Sequence, residues 1–87
     1  MTKDEFVTPM KELASVYKGQ FALNVTDDKS VKAEIMDVWY KYLGDLDGED
    51  FANAVTDWIT HEDNAPSLRQ IRNKTQTIQW KREGYSV

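Results

Sequence analysis

Apolar residues return every three or four positions along this 87-residue chain. That is the spacing of amphipathic helices, not of half-buried strands. Phe6, Met10, Leu13, Ala14 and Tyr17 make the first stripe. Pro9 interrupts it. A proline lacks the N–H that a helix interior needs, so this helix is expected to begin at Phe6 or later, one arrangement having Thr8 as cap and Pro9 at the first position. Lys18-Gly19 should end it, with the glycine in a left-handed cap. Phe21-Ala22-Leu23 then reads as a connection that buries Phe21 or Leu23.

The second stripe is Val31, Ile35, Val38, Trp39, Tyr42 and Leu43. It follows Thr26-Asp27-Asp28, whose side chains can accept from the free N–H groups of a helix start, and it closes near Gly44. Asp47, with Asp50 three residues on, caps a third helix carrying Phe51, Ala54, Val55, Trp58 and Ile59. That helix runs out in the polar segment His61-Glu62-Asp63-Asn64. Ser67, preceded by Pro66, opens a fourth helix with a thinner stripe of Leu68, Ile71, Thr75 and Ile78. The pattern predicts an all-α fold, a small three- to four-helix bundle with a looser C-terminal helix or tail. Residues 1–72 form the helical domain, and residues 73–87 a basic C-terminal helix extension or flexible tail.

Composition changes this picture little. A chain this short holds one core. With 40% hydrophobic and 30% charged residues it lies in the ordinary globular range. There is no cysteine, which excludes disulfides, thiolate metal sites and cysteine nucleophiles. The longest apolar runs are too short to span a membrane, and the acidic start Met1-Thr2-Lys3-Asp4-Glu5 lacks the apolar region of a signal peptide. A soluble chain with no membrane partner is expected.

Charge is informative through its distribution. Over residues 1–66, six lysines against fourteen Asp and Glu leave −8; over residues 67–87, five Lys and Arg against Glu83 leave +4. A basic tail on an acidic body can bind an acidic partner or nucleic acid, or it can dock on the chain's own carboxylates.

Candidate chemistry is sparse. Asp45-Leu46-Asp47-Gly48 suggests a calcium loop, but aligning Gly48 with the glycine at the sixth position puts Leu43 and Ala54 where oxygen ligands belong. The segment reads as a helix-capping turn. His61 has no second histidine or cysteine to complete a metal site, and no nucleophile beside it. Neither phosphate-binding glycine pattern occurs. The expectation is a non-enzyme with no cofactor and no metal. Arg69, Gln70, Arg72, Asn73, Lys74 and Gln76 carry the side chains of a DNA recognition helix, but the acidic balance of the domain favours an ordinary polar face. Trp39 belongs to a core stripe. Tyr40 falls off that stripe, onto the outer face, and Trp80 lies between Gln79 and Lys81; either aromatic could anchor a protein partner.

The run Val38-Trp39-Tyr40-x-x-Leu43-x-Asp45-Leu46-Asp47, the helix bearing Ala54-Val55, and then Ala65-Pro66-Ser67-Leu68-x-x-Ile71-Arg72 resemble the bacteriophage replicative-helicase loader/inhibitor family. The N-terminal helix ending in Tyr17 fits the same pattern, so the resemblance covers about residues 6–72. It implies a non-enzymatic phage replication adaptor in the host cytoplasm that binds and inhibits, or helps load, a replicative DNA helicase and hands it to a phage origin-binding initiator. It also allows inhibition of the host's AAA+ helicase loader. The rival class is a small DNA-binding protein using the fourth helix, although nucleic acid is not expected as a direct ligand; a phage inhibitor of a defence nuclease would share the small acidic composition. The expected partner-binding residues are Tyr40, Arg69, Arg72, Lys74, Trp80, Lys81 and Arg82.

Overall fold

The computed structural model describes residues 1–84. Four helices follow in order: α1 (Lys3–Val16), α2 (Lys29–Leu43), α3 (Gly48–His61) and α4 (Leu68–Arg82), with a short 3-10 turn at Ala22–Asn24 before α2. The described residues contain no strand, and none of their helices is long and apolar enough to cross a membrane. The described part of the expected C-terminal extension continues α4 without a break to Arg82 and a turn at Gly84. Residues 85–87 lie outside the described residues.

Every helix starts at an oxygen-bearing cap, which satisfies N–H groups left free by the first turn. Thr2 and Glu5 form a reciprocal capping box on α1, and Ser67 and Gln70 form another on α4. Asp28 accepts from Ser30 and Val31, and Asp47 accepts from the Asp50 amide. Three of these starts match the sequence pattern. The start of α1 does not, because Thr2-x-x-Glu5 caps it well before Pro9. The proline is seven residues into the helix, its ring buried. The bond it cannot make would have gone to the carbonyl of Glu5, an exposed residue that water can reach.

The core is built around α3. Phe51, Ala54 and Val55 are fully buried, with Phe6, Met10 and Leu13 of α1 on one side and Ile71 of α4 on the other. Phe6 stacks on Phe51 at 5.6 Å between ring centroids. Gly48 lets the start of α3 approach α1, since a Cβ there would lie 2.5 Å from a carboxylate oxygen of Glu5 and disturb the α1 capping box. Phe21 and Leu23 are both buried, and Phe21 meets Trp39 edge to face at 5.3 Å.

Two expectations need correction. Gly19 is not a left-handed cap: α1 ends at Val16, and only Gly84 has a positive φ among the described residues. The chain turns instead through Tyr17, whose carbonyl accepts from Gln20 and Phe21 while its side chain is drawn into the core. The stripe of α2 is also split. Trp39 and Leu43 are buried, whereas Val31, Val38 and Tyr42 are exposed. The helix turns a narrower edge to the body than its sequence suggests, and it is the most solvent-open of the four.

This split gives a direct test. Leu43→Ala should cost about 2–5 kcal/mol of stability, as for a fully buried leucine. Val38→Ala, half-exposed on the same helix, should stay within about 0.5 kcal/mol of wild type. Urea unfolding of the two variants measures both, and similar losses would mean the face assignment is wrong.

Candidate functional site

The cations of α4 divide between its faces. Ile71 and Thr75 are its buried positions, the Thr75 hydroxyl donating to the Ile71 carbonyl at 2.7 Å. On the flanks of that inner face, three of the predicted contact residues are bound to carboxylates of the acidic body. Arg72 bonds both oxygens of Asp45 at 2.9 Å and also donates to the carbonyl of Tyr42, near the end of α2. Lys74 meets Asp57 of α3 at 2.5 Å. Arg82 makes a two-pronged contact with Asp50, Nε and Nη2 each at 2.9 Å from a carboxylate oxygen. Asp50 is fully buried in the first turn of α3, where the helix dipole favours a negative charge. Of the two ways a basic tail can use its charge, Arg72, Lys74 and Arg82 take the intramolecular one.

The outer face is different. Arg69, Asn73, Gln76 and Trp80 recur at intervals of four, three and four, and so share the side of α4 away from Ile71 and Thr75. Arg69, Asn73 and Trp80 are exposed, Trp80 at 44%. Lys81 is exposed beside it. Neither Arg69 nor Lys81 has an ion-pair partner among the described residues. Tyr40, expected on the outer face of α2, is half-buried: its ring lies 5.3 Å from that of Phe6 and its hydroxyl donates to the Met1 carbonyl at 2.8 Å. Its place is structural, because the Met1 ammonium in turn donates to the carbonyls of Gly44 and Leu46 and closes the end of α2.

The structure thus brings Arg69, Trp80 and Lys81 to the surface of one helix, with Arg72, Lys74 and Arg82 as the ties that hold that helix. Beyond Arg82, α4 gives way to the exposed Glu83 and the Gly84 turn. Sequence reasoning missed Asp45, Asp50 and Asp57 as the receivers of those ties. The negative sum over residues 1–66 was the available signal, but it does not say which carboxylates lie under α4.

The first 72 residues match the family model for the N-terminal domain of the phage helicase-binding protein gp39P. The chain belongs to this bacteriophage helicase loader/inhibitor family. No curated protein and no solved structure matches it. The family match covers α1 to α3 and the opening of α4, ending at Arg72. Trp80 and Lys81 lie beyond it. The family signature therefore maps onto the scaffold: Trp39, Leu43, Ala54, Val55 and Ile71 are all buried.

Ionisation follows the ties. The hydrogen bonds from Arg72 hold the Asp45 carboxyl below its ordinary value, and those from Lys74 do the same for Asp57. A carboxyl lowered in the folded state adds stability above its ordinary pKa, and that stability is lost as pH falls through the folded value. Asp45 is well exposed, so its pair is worth less than about 1 kcal/mol. Asp45→Asn should therefore lose a fraction of a kcal/mol at pH 7, and the gap to wild type should close as pH drops below about 4. Urea unfolding across that range measures it. Arg82→Ala strips the partner from a buried carboxylate and should lower the melting temperature clearly more than Lys81→Ala, a comparison that thermal unfolding makes directly.

Proposed function

We propose that this chain is a non-enzymatic adaptor of phage DNA replication that binds the replicative DNA helicase and restrains it until it is loaded. The contact surface in this reading is the outer face of α4, with Trp80 as anchor and Arg69 as steering charge, and with Lys81 adding exposed charge from the flank it shares with Lys74. What supports it is family membership together with one observation: an exposed tryptophan and two cations with no ion-pair partner among the described residues share the surface of a helix whose remaining cations are occupied. Tryptophan and arginine are the side chains enriched in protein-binding hot spots, and complementary charge raises the association rate. Arg72, Lys74, Arg82 and Tyr40 serve as positioning residues that fix α4 and α2 on the body.

The DNA-reading alternative loses support on the same ground. A recognition helix needs its cations free for phosphates and bases, but Arg72 and Lys74 are held by Asp45 and Asp57. The adaptor reading predicts saturable binding to the phage's replicative helicase and a fall in helicase ATPase rate as the protein is added. Trp80→Ala and Arg69→Glu should each weaken that binding at least about tenfold with the melting temperature unchanged, since both residues are exposed. Calorimetric titration and an ATPase assay make the measurements. Full affinity in both variants would move the contact off α4. Tight, steeply salt-dependent duplex binding that Arg69→Ala with Arg72→Ala abolishes would favour DNA instead.

A further inference from the structure

The exposed stripe of α2 carries its own information about what covers it. Val31, Ile35, Val38 and Tyr42 recur at intervals of four, three and four along one side of the helix. Val38 is 50% exposed and Tyr42 51%, Val31 is exposed and Ile35 half-buried. This is the alternation of a coiled-coil seam, with Val31 and Val38 at d positions and Ile35 and Tyr42 at a positions. The spacing is the same read in either direction, so a two-fold axis across the seam sets Val31 opposite Tyr42 and Ile35 opposite Val38 twice over.

The flanking charges select the direction. The g positions are Glu34 and Lys41, both exposed and neither ion-paired among the described residues. In an antiparallel pair the g positions of the two helices run side by side, which places Glu34 of one copy by Lys41 of the other on both halves of the interface. In a parallel pair each g position instead meets an e position five residues on. For Glu34 that is Trp39, buried in the body and without charge, and for Lys41 it would fall at position 46, past the end of α2 at Leu43. The two buried residues of α2, Trp39 and Leu43, lie in its C-terminal half. Antiparallel pairing therefore sets the two bodies toward opposite ends of the helix pair.

We propose that the outer face of α2 is a self-association surface, on which a second copy of this chain docks its own α2 antiparallel. The contact runs over about 16 Å of helix, shorter than standard interfaces, so the dimer is weak, with a dissociation constant of roughly 10–500 μM.

Sedimentation equilibrium of the whole chain between about 10 μM and 1 mM, spanning that range, tests this. The mass should rise with concentration from 10.1 kDa toward twice that value. Val38→Asp should hold it at the monomer, with circular dichroism unchanged because the side chain is exposed. Glu34→Lys and Lys41→Glu, each alone, place like charges together and should weaken association about fivefold or more. The double variant, or an equimolar mixture of the two single variants, should restore it. A monomer at every concentration overturns the proposal and leaves this face to a different protein. A dimer indifferent to Val38→Asp overturns the surface. A dimer indifferent to the charge reversals overturns the antiparallel register.

Discussion

The structure depends on one constraint: α3 has to be covered on two sides at once. Its buried set, Phe51, Ala54 and Val55, is too wide for a single neighbouring helix. Alpha-1 supplies Phe6, Met10 and Leu13, and α4 supplies Ile71 with Thr75 bonded back onto its own backbone. Small residues make the closeness possible, with Ala54 under the packed side chains and Gly48 against Glu5. Because α1 and α4 are both spent on α3, α2 is left to attach at its C-terminal end. It does so through Trp39, Leu43, the Tyr40–Met1 bond and the grip of Arg72 on the carbonyl of Tyr42.

That arrangement separates the surfaces available for partners. The inner flanks of α4 are taken by three ion pairs and its outer face is open. On α2 an apolar stripe is open because the helix leans on the body by one edge. These two faces belong to different helices, so contact with a helicase on α4 and pairing of two copies on α2 do not compete for the same side chains. In a family defined over residues 1–72, the helicase-contact residues proposed on α4 fall largely outside the shared scaffold.

The helix ends were largely legible in the sequence, with Gly44 closing α2 and the polar run from His61 closing α3, but the long-range bonds that fasten those ends were not, for a physical reason. An N-cap is local: Asp28, Asp47 and Ser67 each bond an amide two or three residues on. Even the missed cap, Thr2 with Glu5, is a local signal that the proline rule overrode. The C-terminal carbonyls are satisfied from far away. The Tyr17 hydroxyl donates to Glu62 at 2.7 Å, and its burial raises its pKa. The Met1 ammonium reaches Gly44 and Leu46 at the end of α2. No spacing along the chain announces such bonds.

The sequence by itself determined that the chain is helical, where three of the four helices begin, which apolar side of α3 and α4 faces the core, and the family to which the chain belongs. These follow from periodicity and capping, which act within a few residues. The tertiary structure alone decided which apolar stripe would go uncovered and which cations would be neutralised. Both depend on how many faces of α3 must be filled and on which carboxylates then lie under α4, distances of thirty residues or so along the chain that only folding brings together.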